Sequence, residues 1–288
     1  MSPLLNSDSV SSDQDFLFAY KDSEAREFIE NLWVHYRQYA DKDFVKKVPL
    51  EFHSRFWEMY LTCALKKLGK EILPKKRRAG PDIEIENLDS RVWVEAVAAT
   101  PGNSTNNPMP SEPIPSGKIS FFRVPEEKIV LRYTTAIDEK VKKYRGYAGK
   151  NVIAINDPYV IAVNGHQVPL SRNDEDEIPY IVQAVLPFGL PFVNLDEENS
   201  NGLLYKYRPE LRTPKDGSVQ KNIFLLKEYE FISGILFSMV GIYNYRMPMG
   251  KDFIFIRNPM AKNRLPPGWL GIGHEYRVDG NLLMRETL

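Results

Sequence analysis

Four runs of β-branched and aromatic residues constrain the fold of this chain most strongly. They are PYVIAVNG, PYIVQAVL, FISGILFSMV and DFIFIRNP, and each is bounded by proline, glycine or asparagine. Near-continuous apolar runs of this kind are typical of strands that are buried on both faces of a sheet. The sequence therefore predicts an α/β fold, with a mixed central β-sheet flanked by helices.

Two segments in the first quarter of the chain have helical periodicity. Residues 23–39 repeat apolar side chains three or four positions apart, and Ser23 is suited to the N-cap. Residues 51–68 carry a broad apolar arc, and Gly69 follows as a helix terminator. We expect both helices to pack on the core.

The ends of the chain differ in composition. Residues 1–20 are rich in serine and aspartate and are predicted to form a disordered tail. Residues 21–288 contain no repeat and no clear second boundary. We therefore expect them to form a single domain, with an N-terminal helix and a C-terminal strand-rich extension.

Charge and cysteine content restrict the partners and the compartment. Lysine plus arginine number 38, as do aspartate plus glutamate, so nucleic-acid binding would have to come from local patches. Cys63 is the only cysteine, which excludes an internal disulfide and a multi-cysteine zinc site. The longest near-apolar run, residues 231–243, is shorter than the ~20 residues that span a bilayer. We expect a soluble cytoplasmic protein that does not enter a membrane, and its oligomeric state stays open.

Acidic residues occur at corresponding positions of a predicted hairpin. The strand-like runs PDIEIE and RVWVEAVA are separated by NLDS, which suits a tight reversal. Asp82 in the first run and Glu95 in the second can come close across such a hairpin. Two neighbouring carboxylates repel each other, but they suit a hard divalent cation, which can activate water and stabilise charge on a phosphodiester.

The order of these segments resembles the PD-(D/E)XK nuclease superfamily. The resemblance covers residues 52–144, about a third of the chain, and includes FWEMYL, GPD and VWVEAV. It implies a restriction-endonuclease-like αβββαβ core followed here by the C-terminal extension. It also implies a magnesium or manganese cofactor and a nucleic-acid substrate, with DNA favoured over RNA.

The resemblance implies roles for individual residues. Asp82 matches the aspartate of the Pro-Asp pair, Glu95 matches the acid of (D/E)XK, and Glu58 matches the glutamate found on the preceding helix in many branches. These three catalytic candidates, with the backbone carbonyl of Ala96, would hold the metal ion. The departure is Val97, which stands where the family has its lysine.

A third helix offers a replacement for that lysine. It is predicted to begin near Pro125 and to end at Gly146 or Gly149. Helical spacing puts Lys140 inside the apolar arc of this helix and Lys142 outside it. A lysine in an apolar arc either extends to the rim or meets a buried negative group. Lys140 is therefore the candidate for a displaced catalytic lysine.

Two further observations accompany this hypothesis. Lys140 and Tyr144 have the spacing of the Gln-x-x-x-Tyr motif of exonuclease-like branches. The basic run at residues 75–78 directly precedes the Pro-Asp pair, and for this run solvation of a turn is favoured over phosphate binding.

Two functions stay open on the sequence alone. The first is a divalent-metal-dependent nuclease with a migrated catalytic lysine. The second is an inactive binding or assembly module that keeps the fold. An unrelated hydrolase or transferase has no support, because the sequence has neither a glycine-rich phosphate loop nor a nucleophile elbow.

Overall fold

The structure is a computed structural model. It describes residues 3–5, 11–75, 80–87, 90–102, 109–110, 124–171, 178–192, 204–207, 210–212, 218–220, 222–280 and 282–288. Within these residues the helices are α1 Gln14–Lys21, α2 Ser23–Tyr36, α3 Phe44–Lys47, α4 Phe52–Lys67, α5 Glu126–Ala148 and α6 Tyr180–Val185. The strands are β1 Ile72–Leu73, β2 Ile83–Asn87, β3 Ser90–Ala98, β4 Tyr159–Asn164, β5 Phe188–Phe192, β6 Leu204–Tyr207, β7 Glu210–Arg212, β8 Ser218–Gln220, β9 Ile232–Ser238, β10 Ile254–Arg257, β11 His274–Asp279 and β12 Leu282–Thr287.

One eight-stranded sheet organises the fold, with the strand order β1-β2-β3-β4-β9-β10-β11-β12. Strands β1, β2 and β3 are antiparallel neighbours, and β4 lies parallel to both β3 and β9. Strand β10 is antiparallel to β9 and parallel to β11, which pairs antiparallel with β12. The predicted mixed α/β architecture is therefore confirmed.

Helices cover both faces of this sheet. Helices α1, α2 and α4 share a core with the β3 residues Val92, Val94 and Ala96. Helices α5 and α6 share another core with Trp93 of β3. Because side chains alternate along a strand, the two cores lie on opposite faces of β3. This arrangement explains why the apolar runs of the central strands are nearly continuous.

The second helix predicted from the sequence ends as expected. Gly69 has φ of +77° and lies directly beyond α4. Its N–H binds the carbonyl of Lys66, and the N–H of Lys70 binds the carbonyl of Leu65. A glycine in the left-handed region thus satisfies carbonyls at the helix end. Among the described residues, no helix combines the length and apolarity that crossing a membrane requires.

The N-terminal segment differs from its prediction. Part of the expected disordered tail forms α1, which is capped by the side chain of Asp13. Phe16 of α1 is buried and packs edge-on against Phe52, with 5.9 Å between ring centroids. The N-cap of α2 is Asp22, whose carboxylate accepts from Ala25 N, and Ser23 is the first helical residue.

The run PYIVQAVL was predicted to be a strand and instead forms helix α6. All six residues of α6 are buried. A helix that is buried all round has no polar face, so hydrophobic periodicity cannot distinguish it from a buried strand. The runs containing β4, β9 and β10 do form the expected strands.

Candidate active site

A cavity of about 250 Å³ lies where α4 and α5 approach strand β3. Its lining includes Arg55 and Glu58 of α4, Asp82 immediately before β2, Ala96 and Val97 of β3, and Lys140 and Lys143 of α5. The candidate residues from four separate segments thus border one cleft, except Glu95, whose side chain is buried directly beside it.

The β2–β3 hairpin brings Asp82 to Glu95. Ile83 pairs with Val94, so the same register carried back by one residue sets Asp82 opposite Glu95. The Oδ2 atom of Asp82 accepts a hydrogen bond of 2.8 Å from the backbone N–H of Ala96. This bond fixes the aspartate side chain against β3, beside the glutamate.

Glu95 is the most constrained group of the cluster. Its side chain is 1% exposed, and its Oε1 atom accepts from the ammonium of Lys140 at 2.7 Å and from that of Lys143 at 3.2 Å. Its Oε2 atom is buried and has no hydrogen-bond partner among the described residues. Burial raises the pKa of Glu95, and the charge of Asp82 raises it further, while the two lysines oppose the shift. Two lysines therefore neutralise Oε1 of Glu95, whereas Oε2 has no hydrogen-bond partner among the described residues.

The helical phase of α5 explains which lysines meet this carboxylate. Lys140 is buried and faces the sheet, whereas Lys142 is 70% exposed and pairs with Asp138 on the solvent side. The expected contact between Lys140 and the carboxylate cluster is therefore present in the structure. Lys143, three residues beyond Lys140, lies on the same side of the helix and is 54% exposed.

The tyrosine that accompanies these lysines is not the one suggested by the motif. Tyr144 stacks on Phe231, with 4.0 Å between ring centroids, and lies against Tyr159 rather than Glu95. Tyr147, one turn beyond Lys143, is close enough to Glu95 for the carboxylate to contribute to raising its pKa to about 12, although burial is the larger cause. The spacing at the site is therefore Lys143-x-x-x-Tyr147.

Glu58 lies on the other side of the cleft and is already bonded. Its Oε1 atom accepts from the hydroxyl of Tyr36 at 2.6 Å, and its Oε2 atom from Arg55 at 2.9 Å. Lys75 lies 3.8 Å from Oε1, so this part of the basic run forms ion pairs, and residues 76–78 lie outside the described residues. Burial, followed by the charge of Asp82, raises the pKa of Glu58 to about 7.

The oxygen ligands of the cleft fit a divalent ion in part. In the part of the chain that is described, no group of three or more His, Cys, Asp or Glu side chains is arranged to hold a metal. The pair Asp82 and Glu95 nevertheless suits magnesium, which binds proteins through one or two carboxylates and retains several waters. The bare Oε2 atom of Glu95 is a buried acceptor that such an ion would satisfy. Glu58 fits less well, because both of its oxygens already accept hydrogen bonds.

Comparisons of the chain with protein-family models, with curated proteins and with solved structures gave no match. The assignment of a function therefore depends on the geometry of the cleft.

The sequence-based hypothesis missed Lys143, Tyr147 and Arg55. Helical spacing contained the signal for the first two, because they follow Lys140 at intervals of three and seven residues. Arg55 precedes Glu58 by three residues on α4, which is also a contact distance on one helix face.

Proposed function

We propose that the chain is a divalent-metal-dependent nuclease that hydrolyses phosphodiester bonds, with DNA favoured over RNA as substrate. The observation that carries the proposal is the asymmetric environment of Glu95. One oxygen of its buried carboxylate accepts hydrogen bonds from two lysines of α5. The other oxygen has no hydrogen-bond partner in the described part of the chain, and Asp82 lies beside the same carboxylate. A hard cation at this pair would satisfy the bare oxygen and reduce the repulsion between the acids.

The order of elements supports a restriction-endonuclease-like core. Helix α4, the antiparallel strands β1, β2 and β3, helix α5 and the parallel strand β4 follow one another in the αβββαβ order that the resemblance implies. Strands β9 to β12 would then be the C-terminal extension of that core.

The proposed roles follow from burial and contacts. Asp82 and Glu95 would hold the ion, and the cleft position of Ala96 is compatible with a contribution from its carbonyl. A divalent ion bound there would act as a Lewis acid on the phosphodiester and stabilise the charge of the transition state.

The two lysines would have different tasks. Lys140 is buried against Glu95, so it would keep this carboxylate ionised and oriented, which makes it a positioning residue. Lys143 is half exposed and lines the cleft, so its ammonium has the better access to a substrate phosphate. The migrated lysine of the sequence-based hypothesis is thus proposed to be a pair.

Cleavage of labelled substrates tests the proposal. Single-stranded DNA, double-stranded DNA and RNA would be incubated with the protein and magnesium or manganese, with EDTA as the blank. We expect metal-dependent cleavage that Asp82→Asn abolishes. Lys143→Ala should slow it by about 100-fold or more, the usual loss when a transition-state contact is removed. Lys140→Ala should also slow cleavage and should weaken metal binding, because Glu95 would no longer be held ionised and in place. Lys142→Ala is the matched control and should cleave at the unmodified rate, because Lys142 faces solvent. Full activity in Asp82→Asn would overturn the assignment.

A second candidate, an inactive binding or assembly module, has one observation in its favour. The acids Glu58 and Glu95 are already paired with cations, so this cluster is close to charge balance without a metal ion. On this alternative the cluster only fixes α4 and α5 to the sheet. Magnesium would then leave the melting temperature unchanged, whereas the nuclease proposal requires it to rise.

A further inference from the structure

A second cavity, of about 230 Å³, lies among strands β9, β10 and β11 and the loop that follows β10. Ser233, Arg257, Asn258, Arg264 and Arg277 line it, and no carboxylate is among its lining residues in the described part of the chain. It shares no lining residue with the cleft that contains Asp82. Three arginines therefore line one small space.

The sheet register brings two of these arginines side by side. Strands β10 and β11 are parallel, and Ile256 pairs with Tyr276, so the next position pairs Arg257 with Arg277. Like charges on adjacent strands destabilise a sheet unless a counter-charge is present. The pairing of Arg257 with Arg277 is therefore unfavourable for the stability of the sheet.

The available carboxylates compensate only part of this charge. Glu275 is fully buried, and its Oε1 atom lies 3.3 Å from Arg257, while its Oε2 atom accepts from the N–H of Gly268. Arg277 pairs with Asp279 at 3.3 Å, but this aspartate is 67% exposed and lies toward solvent. Arg264 forms no ion pair with any described residue. Three arginines against Glu275 and Asp279 leave one formal positive charge at the cavity, and nearly two where solvent screens the exposed Asp279.

Two of the three arginines are also held in position by the backbone. Arg257 donates to the carbonyls of Leu265 and Pro266, and Arg264 donates to those of Pro259 and Ala261. These bonds use only part of the five N–H donors of each guanidinium, so the remaining donors are available to a ligand. Rigid guanidinium groups suit phosphate because their N–H pairs match its oxygens, and prior ordering lowers the entropy lost on binding.

We infer that this cavity binds a phosphate monoester, either that of a free mononucleotide or the terminal phosphate of a nucleic acid. A monoester carries close to two negative charges near neutral pH, which matches the uncompensated charge of the arginines. A phosphodiester carries one negative charge and fewer free oxygens, so it fits the site less well. The inference does not depend on the proposed nuclease activity.

Binding measured in EDTA tests the inference and keeps any metal out of the other cleft. Inorganic phosphate, a nucleoside 5′-monophosphate and dimethyl phosphate would be titrated at constant ionic strength, with the melting temperature and calorimetry as readouts. We expect the first two to bind and stabilise the protein and dimethyl phosphate to bind much more weakly. Arg264→Gln and Arg277→Gln should each weaken phosphate binding by about tenfold, because a charge-assisted hydrogen bond is lost.

The controls separate a specific site from general attraction. Arg246→Gln removes an exposed arginine that pairs with Glu24 elsewhere on the surface, and it should bind phosphate normally. Arg257 is left unchanged, because its removal would strand the buried Glu275 and could unfold the protein. Two DNA oligonucleotides, identical except that one has a 5′-phosphate and the other a 5′-hydroxyl, are titrated to identify the source of the phosphate. Only the phosphorylated one should bind at this cavity. Tighter binding of the phosphorylated oligonucleotide than of the mononucleotide supports a nucleic-acid end, and the reverse supports a free nucleotide.

Three results would overturn the inference. The first is no binding of phosphate to the unmodified protein. The second is phosphate binding in Arg264→Gln and Arg277→Gln as tight as in Arg246→Gln. The third is equal binding of dimethyl phosphate and inorganic phosphate, since the site is inferred to require the second negative charge.

Discussion

Replacing Lys140 by alanine is expected to destabilise the protein by about 2–3 kcal/mol. Removing one partner of a buried ion pair typically costs about 3–5 kcal/mol, because the other charge is left uncompensated. The environment of Glu95 meets that condition, since its side chain is 1% exposed and Lys140 binds it at 2.7 Å. The expected loss is smaller than the full range because Lys143 remains 3.2 Å from the same oxygen.

The neighbouring lysines provide graded controls on the same helix. Lys143→Ala should cost less than about 1 kcal/mol, because Lys143 is half exposed and its ion pair is screened by solvent. Lys142→Ala should have no measurable effect, because Lys142 and Asp138 both lie on the exposed face of α5. Urea denaturation followed by tryptophan fluorescence gives the free energy of unfolding of each variant.

A double-mutant cycle identifies the cause of the loss. Glu95→Gln removes the charge that Lys140 neutralises, so adding it to Lys140→Ala should restore part of the lost stability. Equal stability of Lys140→Ala and Lys142→Ala would refute this explanation, and so would a cycle that gives no coupling between positions 95 and 140. Either result would mean that the buried ion pair does not contribute to the native state.

Two further predictions concern the acids of the cleft. Magnesium or manganese should raise the melting temperature, because binding at a hundred times the Kd stabilises the native state by about 2.7 kcal/mol. Asp82→Ala should abolish this rise. An equal rise in that variant would remove Asp82 from the site. The pKa of Glu58 is raised from 4.5 to about 7 in the folded state, which therefore binds this proton more tightly than the unfolded chain does. The free energy of unfolding should then fall by at most about 3 kcal/mol as the pH rises through that interval. Urea denaturation at several pH values measures this dependence, and Glu58→Gln should reduce it. An unchanged pH dependence in Glu58→Gln would assign the effect to another group.

The parts of the site that were predicted follow from simple periodicities. The two-residue repeat of a hairpin was sufficient to bring Asp82 opposite Glu95, because only the turn between the strands had to be recognised. The helical repeat was sufficient to put Lys140 on the buried side of α5. Both inferences depend on local geometry, which the sequence encodes directly.

The parts that were missed depend on reach or on tertiary packing. Lys143 lies at the edge of the buried face of α5 and reaches Glu95 because its side chain is long. The apolar arc that identified Lys140 does not include this position. Helix α6, Tyr180–Val185, is buried on all sides, so hydrophobic periodicity cannot distinguish a helix from a strand there. Its packing in one core with α5 favours the helix. The β11–β12 hairpin was overlooked although its strands are separated in sequence by Gly280-Asn281, which is a hairpin signal, because β12 is mostly exposed and its apolar alternation is weak.

The arrangement around Glu95 is a poor solution if its purpose is stability alone. One lysine would neutralise the carboxylate, yet two ammonium groups approach the same oxygen and must repel each other. The other oxygen is buried and has no hydrogen-bond partner among the described residues, and the pKa of this carboxylate is raised by burial and further by the charge of Asp82. An apolar cluster of the same volume would avoid both penalties and is often as stable as a buried ion pair, or more so. Both unfavourable features occur at the carboxylate beside Asp82. They are expected if a cation binds Asp82 and Glu95 together, as proposed above, and they are not required if the cluster only packs α5 on the sheet.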